Sequence, residues 1–293
     1  MDGPPAATPG QSEQKATTRE VVAAPPGEVG IRPSSVPRPG LYARNRTTVH
    51  TVLTVLLGAV LWQFAAAHAS TLILVPLQDI GGALVGQAQD GTLWTDLLAS
   101  SSGFALGLLL SSVAGILLGV AMAINRVVFD FLDPWVSALY STPLIALGPL
   151  FIIVFGIGLQ AKVAVVITLA IFPVIINTTA GIRTTDPRLI ETARSFGAGR
   201  LQILRKVMLP WSVPFILTGL RLAVGRALIG VVVAEFFGSV NGLGHSVFVA
   251  SQNFDTANVW AGVFMLALIG TLLIRFMYWV ERKIAPWRAE ETG

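Results

Sequence analysis

The sequence predicts an all-α, polytopic membrane protein of six transmembrane helices, and three observations predict it. The chain of 293 residues is 53% hydrophobic and only 12% charged, whereas soluble domains carry about 25% charged residues. Six segments supply the roughly 20 mostly apolar residues that a helix needs to cross the hydrocarbon: about 50–69, 102–124, 134–156, 161–181, 211–236 and 257–280. Lysine and arginine are sorted by side. None lies in 70–101 or 236–256, whereas six precede the first span and six lie from Arg183 to Lys206. Basic residues accumulate on the cytoplasmic side, so a multi-pass protein of the cell membrane is expected, embedded in the lipid bilayer with both termini cytoplasmic. Arg126, between spans two and three, and Arg282, Lys283 and Arg288, after span six, fall on that same side, while Lys162 is the one basic residue at an outer turn.

Composition also excludes. Without cysteine there are no disulfides and no thiolate metal sites, and His50, His68 and His245 are too scattered for a zinc cluster, so no metal site is expected. The net charge of +4 is explained by its distribution between membrane sides, and nucleic-acid binding is rejected. Residues 1–45 contain eight prolines and no apolar run long enough for a signal-peptide core. They read as a disordered, Pro-rich cytoplasmic tail ahead of a transmembrane domain over 46–290.

Spans one, four and six rest on length and apolar composition alone. Span two carries Gly103, Gly107, Ser111, Gly115 and Gly119 at intervals of four, a small residue on one face at every turn. Small residues in lipid serve close backbone approach, so this face is expected to pack against another helix, of this chain or of a second copy, with no substrate role. In span three, Tyr140-Ser141-Thr142-Pro143 sets hydroxyls beside a helix-breaking proline, an arrangement that can open backbone carbonyls to a polar pathway. Ser and Thr in membrane helices also bond their own backbone, and both readings stay open. Arg226 lies near the middle of span five, where arginine costs about 2.5–3.5 kcal/mol on insertion scales and must face protein or water. Lining a pathway for an anion and holding helices together through an internal contact are both open to it. Arg221, nearer the cytoplasmic end, is expected to snorkel. Glu235 lies half a helical rotation from Arg226 and belongs to an outer gate or to an interface.

Between spans four and five, residues 182–210 are polar and helical in pattern. Asp186-Pro187 is a helix start, Asp capping free N–H groups and Pro fitting the first turn. A helix over about 187–196 follows, with Leu189, Ile190, Ala193 and Phe196 to one side, and Gly197 ends it in a left-handed conformation. A second short helix carrying Leu201, Ile203, Leu204 and Val207 leads to Leu209-Pro210, where proline suits the beginning of span five. Two short helices joined at a glycine make an L-shaped protrusion. Its arginine content suggests contact with something in the cytosol.

The order Glu191-Thr192-Ala193, three residues, Gly197, nine residues, Val207, one residue, Leu209-Pro210 closely resembles the EAA loop of ABC importer permeases. Leu132-Asp133-Pro134, Phe155-Gly156-Ile157-Gly158, Asn177-Thr178-Thr179-Ala180-Gly181, Gly219-Leu220-Arg221, Ala234-Glu235 and Gly242-Leu243-Gly244 are similar to the nitrate, sulfonate and taurine class of such permeases, over about residues 75–288. Two positions depart: Thr192 stands where the motif usually has Ala, and Arg226 stands where many relatives have an apolar residue, which bears on substrate choice. The resemblance implies a type I importer (MetI-like) permease core in which two copies of the chain form the pore. It implies two cytoplasmic ABC ATPase subunits that carry ATP and Mg and receive the coupling loop 182–210, through Glu191, Thr192, Ala193, Gly197, Val207, Leu209 and Pro210. It also implies an extracytoplasmic solute-binding protein docking on 70–101 and 236–256, and no cofactor in this subunit. The cargo implied is a small anion of the sulfonate, taurine or nitrate type, with an aromatic acid or a vitamin precursor as the alternative. Arg226, Tyr140, Ser141, Thr142 and Glu235 are the candidates for its pathway.

No Gly-Lys dipeptide occurs, hence no phosphate-cradling P-loop, and the chain is not itself the ATPase. There is no Gly-x-Ser-x-Gly, no His-Glu-x-x-His and no nucleophile, base and orienting acid constellation, so catalysis is not expected. The rival from another class is a self-sufficient secondary transporter, which would show inverted repeats and midplane carboxylates. Neither is found. A membrane scaffold would use the same loop without needing a midspan arginine.

Overall fold

The computed structural model describes residues 41–285, with side chains from residue 49. One compact unit ends at Leu53 and the other begins at Thr54; all contacts discussed below belong to the second. Residues 1–40 of the expected tail lie outside the described residues, as do those after Ala285, while 41–45 already belong to the first helix.

Every regular element among the described residues is helical: α1 (Leu41–His68), α2 (Leu77–Gln89), α3 (Thr92–Ile124), α4 (Arg126–Ser141), a 3-10 turn (Leu144–Leu147), α5 (Gly148–Phe155), α6 (Leu159–Arg183), α7 (Pro187–Ser195), α8 (Arg200–Ile203), a π turn (Leu204–Met208), α9 (Leu209–Gly238), α10 (Leu243–Gln252) and α11 (Thr256–Ile284). Among the described residues five stretches are long and apolar enough to cross a membrane: Val49–His68, Thr92–Ile124, Leu159–Arg183, Arg200–Gly238 and Thr256–Ile284. A sixth exists only if α4 and the segment Leu144–Phe155, bent by 86° against each other, count as one span.

That bend corrects the single span expected over 134–156. Pro143 has no N–H to give the ladder, and the hydroxyls of Ser141 and Thr142 both donate to the Ala138 carbonyl, at 2.9 and 2.8 Å. The helix stops there and restarts at Leu144. Span two is also longer than its apolar window, because α3 begins ten positions before residue 102, in the polar run from Thr92. Asp90 secures that start by accepting from the Thr92 amide at 2.9 Å, and the Thr92 hydroxyl and amide together hold its carboxyl below the usual carboxylate range. The stretches 70–101 and 236–256, free of lysine and arginine, likewise contain helices, α2 and α10.

The bundle is organised around α6. Of its most apolar window 56% is buried, against 22% for α3 and 33% for Arg200–Gly238, so α6 is the helix that the others wrap. On one side it runs parallel to α3, whose small-residue face meets it turn by turn. Gly103 abuts Lys162, Gly107 abuts Val166, Gly115 abuts Val174 and Gly119 abuts Thr178. A Cβ on Gly107 would fall 2.5 Å from the Val166 Cβ, and one on Gly115 2.8 Å from the Val174 Cβ. Backbones this close gain dispersion contacts along their whole length, the main source of helix association where solvent is itself apolar. On the other side, Val166, Ala170 and Val174 of α6 pack against Ala223, Ala227 and Val231 of α9.

α11 closes the bundle. Trp62 of α1 and Trp260 of α11 meet edge to face at 4.7 Å, and their indole N–H groups donate to the carbonyls of Val75 and Ile73 at 3.0 and 3.1 Å. At the other end of α11, Glu281 accepts from Arg221 of α9 at 2.6 Å, while the guanidinium lies 4.5 Å from the Tyr278 ring centre. Arg221 therefore does not snorkel; it ties two spans together.

Candidate functional site

Three places in the bundle carry the polar chemistry: a protrusion at one end, a buried cluster at the other, and an exposed face between them.

The protrusion follows α6. Arg183, its last residue, sits 3.6 Å from the centre of the Phe129 ring of α4 and so anchors the base. Asp186 caps α7 by accepting from the Arg188 amide at 2.9 Å, and Pro187 occupies the first helical position. The chain reverses at Gly197, whose φ of 78° is left-handed. α7 buries no residue. Glu191, Thr192 and Gly197 are exposed and Ala193 is half-buried, while Phe196 is 88% exposed. The Thr192 hydroxyl donates to the Arg188 carbonyl at 2.8 Å, so threonine in place of alanine leaves no unsatisfied group. The second arm is not a separate short helix: α8, the π turn and α9 run on as one stretch of 39 residues, Arg200–Gly238. The π turn ends at Met208, two residues before Pro210, whose ring crowds the carbonyl four residues back, within that turn. Val207 and Leu209 are half-buried there and Pro210 is exposed.

At the opposite end, Lys162 is 4% exposed and Glu235 fully buried, with Nζ 2.9 Å from Oε1. Lys162 also donates to the Asn241 carbonyl at 3.0 Å. Glu235 accepts further bonds from the Ser100 hydroxyl at 2.8 Å and the Gly244 amide at 2.9 Å. Asp96, also buried, accepts from the Gly242 amide at 2.8 Å and pairs with the Ser246 hydroxyl. Gly242 has a φ of 132°, and a Cβ there would lie 2.1 Å from the Glu235 carboxylate. Ala234-Glu235 and Gly242-Leu243-Gly244 are thus two halves of one contact, which fastens the start of α10 to α3, α6 and α9. Sequence reasoning missed Lys162, Asp96 and Ser100. A signal was present, since Asp96 and Ser100 continue the small-residue face of α3 by two further turns.

Arg226 is exposed on α9, between Leu222 and Ile229 at 49% and 47% exposure. Among the described residues no carboxylate comes within ion-pair distance of it; its neighbour is the Tyr140 ring of α4, 5.5 Å from the guanidinium carbon to the ring centre. Ser141 and Thr142 follow Tyr140 at the break in α4, both exposed. Four of the five expected pathway residues therefore gather on one face. Glu235 does not join them, being enclosed in the cluster just described.

A helical bundle with an exposed polar protrusion and a midspan cation on an outer face is the frame of a membrane transport permease. The chain belongs to the family described as binding-protein-dependent transport system inner membrane component, which matches residues 111–286. It is 38% identical over 203 residues to the putative aliphatic sulfonates transport permease protein SsuC of Bacillus subtilis, covering 69% of this chain and 74% of the relative. It is 37% identical over 255 residues to the taurine transport system permease protein TauC of Escherichia coli, covering 85% and 92%. With the formylaminopyrimidine transport permease protein ThiX of Halalkalibacterium halodurans it shares 32% over 250 residues, covering 85% and 99%. The fold is similar to a chain of the MetNI methionine ABC transporter in an inward-facing conformation, with a TM-score of 0.55 and 21% identity over 66% of this chain and 97% of that one. The protein is a permease subunit of the ABC importer class, and the self-sufficient secondary transporter falls with that membership.

Proposed function

We propose that this permease works as a homodimer in the cell membrane and translocates a small organic or inorganic anion of the sulfonate, taurine or nitrate type. The observation that carries the reading is the face shared by Arg226 and the α4 break. A midspan guanidinium costs about 2.5–3.5 kcal/mol against lipid, and broken backbone at that depth is tolerated only against protein or a water-filled space. A second copy enclosing an aqueous path supplies both. Arg226 then offers five N–H donors to an oxyanion, with the Tyr140 hydroxyl and ring beside it.

In this reading both termini and the protrusion face the cytoplasm, where the arginines of 183–206 gather. Each protrusion seats in a cleft on one of two ABC ATPase subunits, which bind ATP and Mg; this subunit carries no cofactor. Glu191, Thr192, Ala193 and Gly197 form the seat, while Val207, Leu209 and Pro210 join it stiffly to α9. Closure of the ATPase pair moves the seat, and the continuous helix from Arg200 to Gly238 passes the movement to Arg226. A solute-binding protein delivers the cargo at the end formed by α2 and α10. The sulfonate and taurine names of two relatives support the anion, and the formylaminopyrimidine name of a third keeps an aromatic cargo as the second reading.

The test is to purify the tagged chain from native membranes in mild detergent and identify its companions by mass spectrometry. A P-loop ATPase in near-stoichiometric amount is expected. Recovery of the chain alone, repeated after crosslinking, would sink the ATPase-docking role of residues 186–210.

A further inference from the structure

The inner side of the protrusion walls a cleft of about 790 Å³. Its floor is the corner where α3 gives way to α4, and its walls are α7, α8 and the π turn. Arg126, Arg194 and Arg200 line it, and among the described residues no Asp or Glu does. Arg126 has only a loose surface pair, 3.8 Å from Asp130, with the two side chains 89% and 64% exposed, a contact that a stronger anion readily replaces. Apolar side chains stand between the guanidiniums. Ile190 and Arg194 are one turn apart on α7 and both face the cleft, while Ile124 and Leu201, also lining it, are 57% and 58% exposed. Phe196, at the outer tip, is not part of this wall. None of the residues assigned to the ATPase seat, Glu191, Thr192, Ala193 and Gly197, lines the cleft.

Depth decides what would fill it. The stretches Thr92–Ile124 and Arg200–Gly238 have 33 and 39 residues, about 50 and 58 Å at roughly 1.5 Å per residue. The hydrocarbon layer is about 30 Å thick, so both helices overrun it. The cleft lies at the last residues of the one and the first of the other, the polar ends that a span of this length brings to the headgroups.

We propose that this cleft binds the headgroup of an anionic phospholipid, Arg126, Arg194 and Arg200 holding the phosphate while Ile124, Ile190 and Leu201 contact the upper part of the acyl chains. Cations that converge beside apolar side chains at a membrane surface match such an amphiphile better than a soluble anion. The orientation proposed above puts the cleft at the cytoplasmic leaflet, and nothing else in the proposal rests on it. A lipid held there bridges the protrusion to the α3–α4 corner, so the anionic content of the membrane sets how firmly the protrusion is fixed.

The test is native mass spectrometry of the full chain, with whatever subunits it retains, titrated with phosphatidylglycerol or with phosphatidylcholine of the same acyl chains. Retention of phosphatidylglycerol about tenfold or more above phosphatidylcholine is expected, because each basic residue at an anionic lipid surface adds several-fold. The triple variant Arg126→Gln, Arg194→Gln, Arg200→Gln loses that preference, and Arg188→Gln with Arg205→Gln, outside the cleft, keeps it. Should the triple variant fail to fold, Arg200→Glu alone must lower the preference. Equal retention of the two lipids overturns the proposal, as does an undiminished preference in the cleft variants. Displacement by millimolar inorganic phosphate would assign the cleft to a soluble anion, and loss of lipid whenever an ATPase co-purifies would assign it to that protein; either result overturns the lipid. No ATP or cargo enters the measurement, so its failure is separate from any failure of the transport reading.

Discussion

Lys162 near the start of α6 and Arg226 near the middle of α9 are both cations in helices apolar enough to cross a membrane. The first is 4% exposed, with a carboxylate oxygen at 2.9 Å and a carbonyl at 3.0 Å; the second is exposed, with an aromatic ring 5.5 Å away. Lys162 has committed two of its three donors inside the protomer, and at 4% exposure an anion could reach it only by dismantling the cluster. Arg226 has kept its donors, at a depth where nothing in lipid can satisfy them. Partner saturation separates a charge that holds the fold from a charge available to a ligand, even though hydropathy scores the two alike.

The largest expected effect tests the saturated side. Lys162→Met strands the Glu235 carboxylate in a dry interior, a change that costs about 3–5 kcal/mol; a large drop in the thermal unfolding midpoint of the detergent-solubilised protein is expected, with Glu235→Gln in the same chain recovering more than half. An unchanged midpoint would mean that water reaches the cluster. Next comes the interface on which that cluster is built. Gly107→Ala drives a methyl against Val166 and should cost about 1–3 kcal/mol as overpacking, with Val166→Ala beside it restoring the midpoint.

Smaller is the effect at the protrusion. Gly197→Val forces a β-branched residue to a φ of 78°, a strain of about 1–2 kcal/mol. Nothing in α7 is buried, so the midpoint should move little while ATPase stimulation by the cargo-loaded binding protein is lost. Preserved stimulation would remove Gly197 from the coupling role. Smallest of all, Arg226→Ala should leave the midpoint within about 0.5 kcal/mol of the parent, as for an exposed side chain with no ion pair and only a ring at 5.5 Å beside it. A drop comparable to that of Lys162→Met would make Arg226 a structural residue after all.

What the sequence made legible follows from the range of each interaction. Asp186, Pro187 and Gly197 act on backbone within three residues of themselves, and the helix they delimit is found where capping chemistry puts it. The small-residue face of α3 was legible as a close-packing surface because its period is that of the helix, although nothing in the period says which helix answers it. The α4 break was half legible: Tyr140-Ser141-Thr142-Pro143 stood out as a place to open backbone, yet the hydropathy window ran through it. Hydropathy counts apolar residues and is blind to a hydroxyl that takes a carbonyl away from the ladder. For the same reason it stopped short of the polar first turns of α3. The buried cluster was the least legible, since Lys162 and Glu235 are 73 positions apart and Asp96 and Gly242 are 146.

The decisive measurement is ATP-dependent uptake of taurine, an alkanesulfonate and nitrate by cells expressing this permease with its partner subunits, comparing the parent chain with Arg226→Ala and Arg226→Lys at equal membrane abundance. Uptake of one of these anions is expected to fall about tenfold or more in the alanine variant, the loss of one charge-assisted contact, and to return in part with lysine. Undiminished uptake in Arg226→Ala would contradict the assignment of this face to the anion's path.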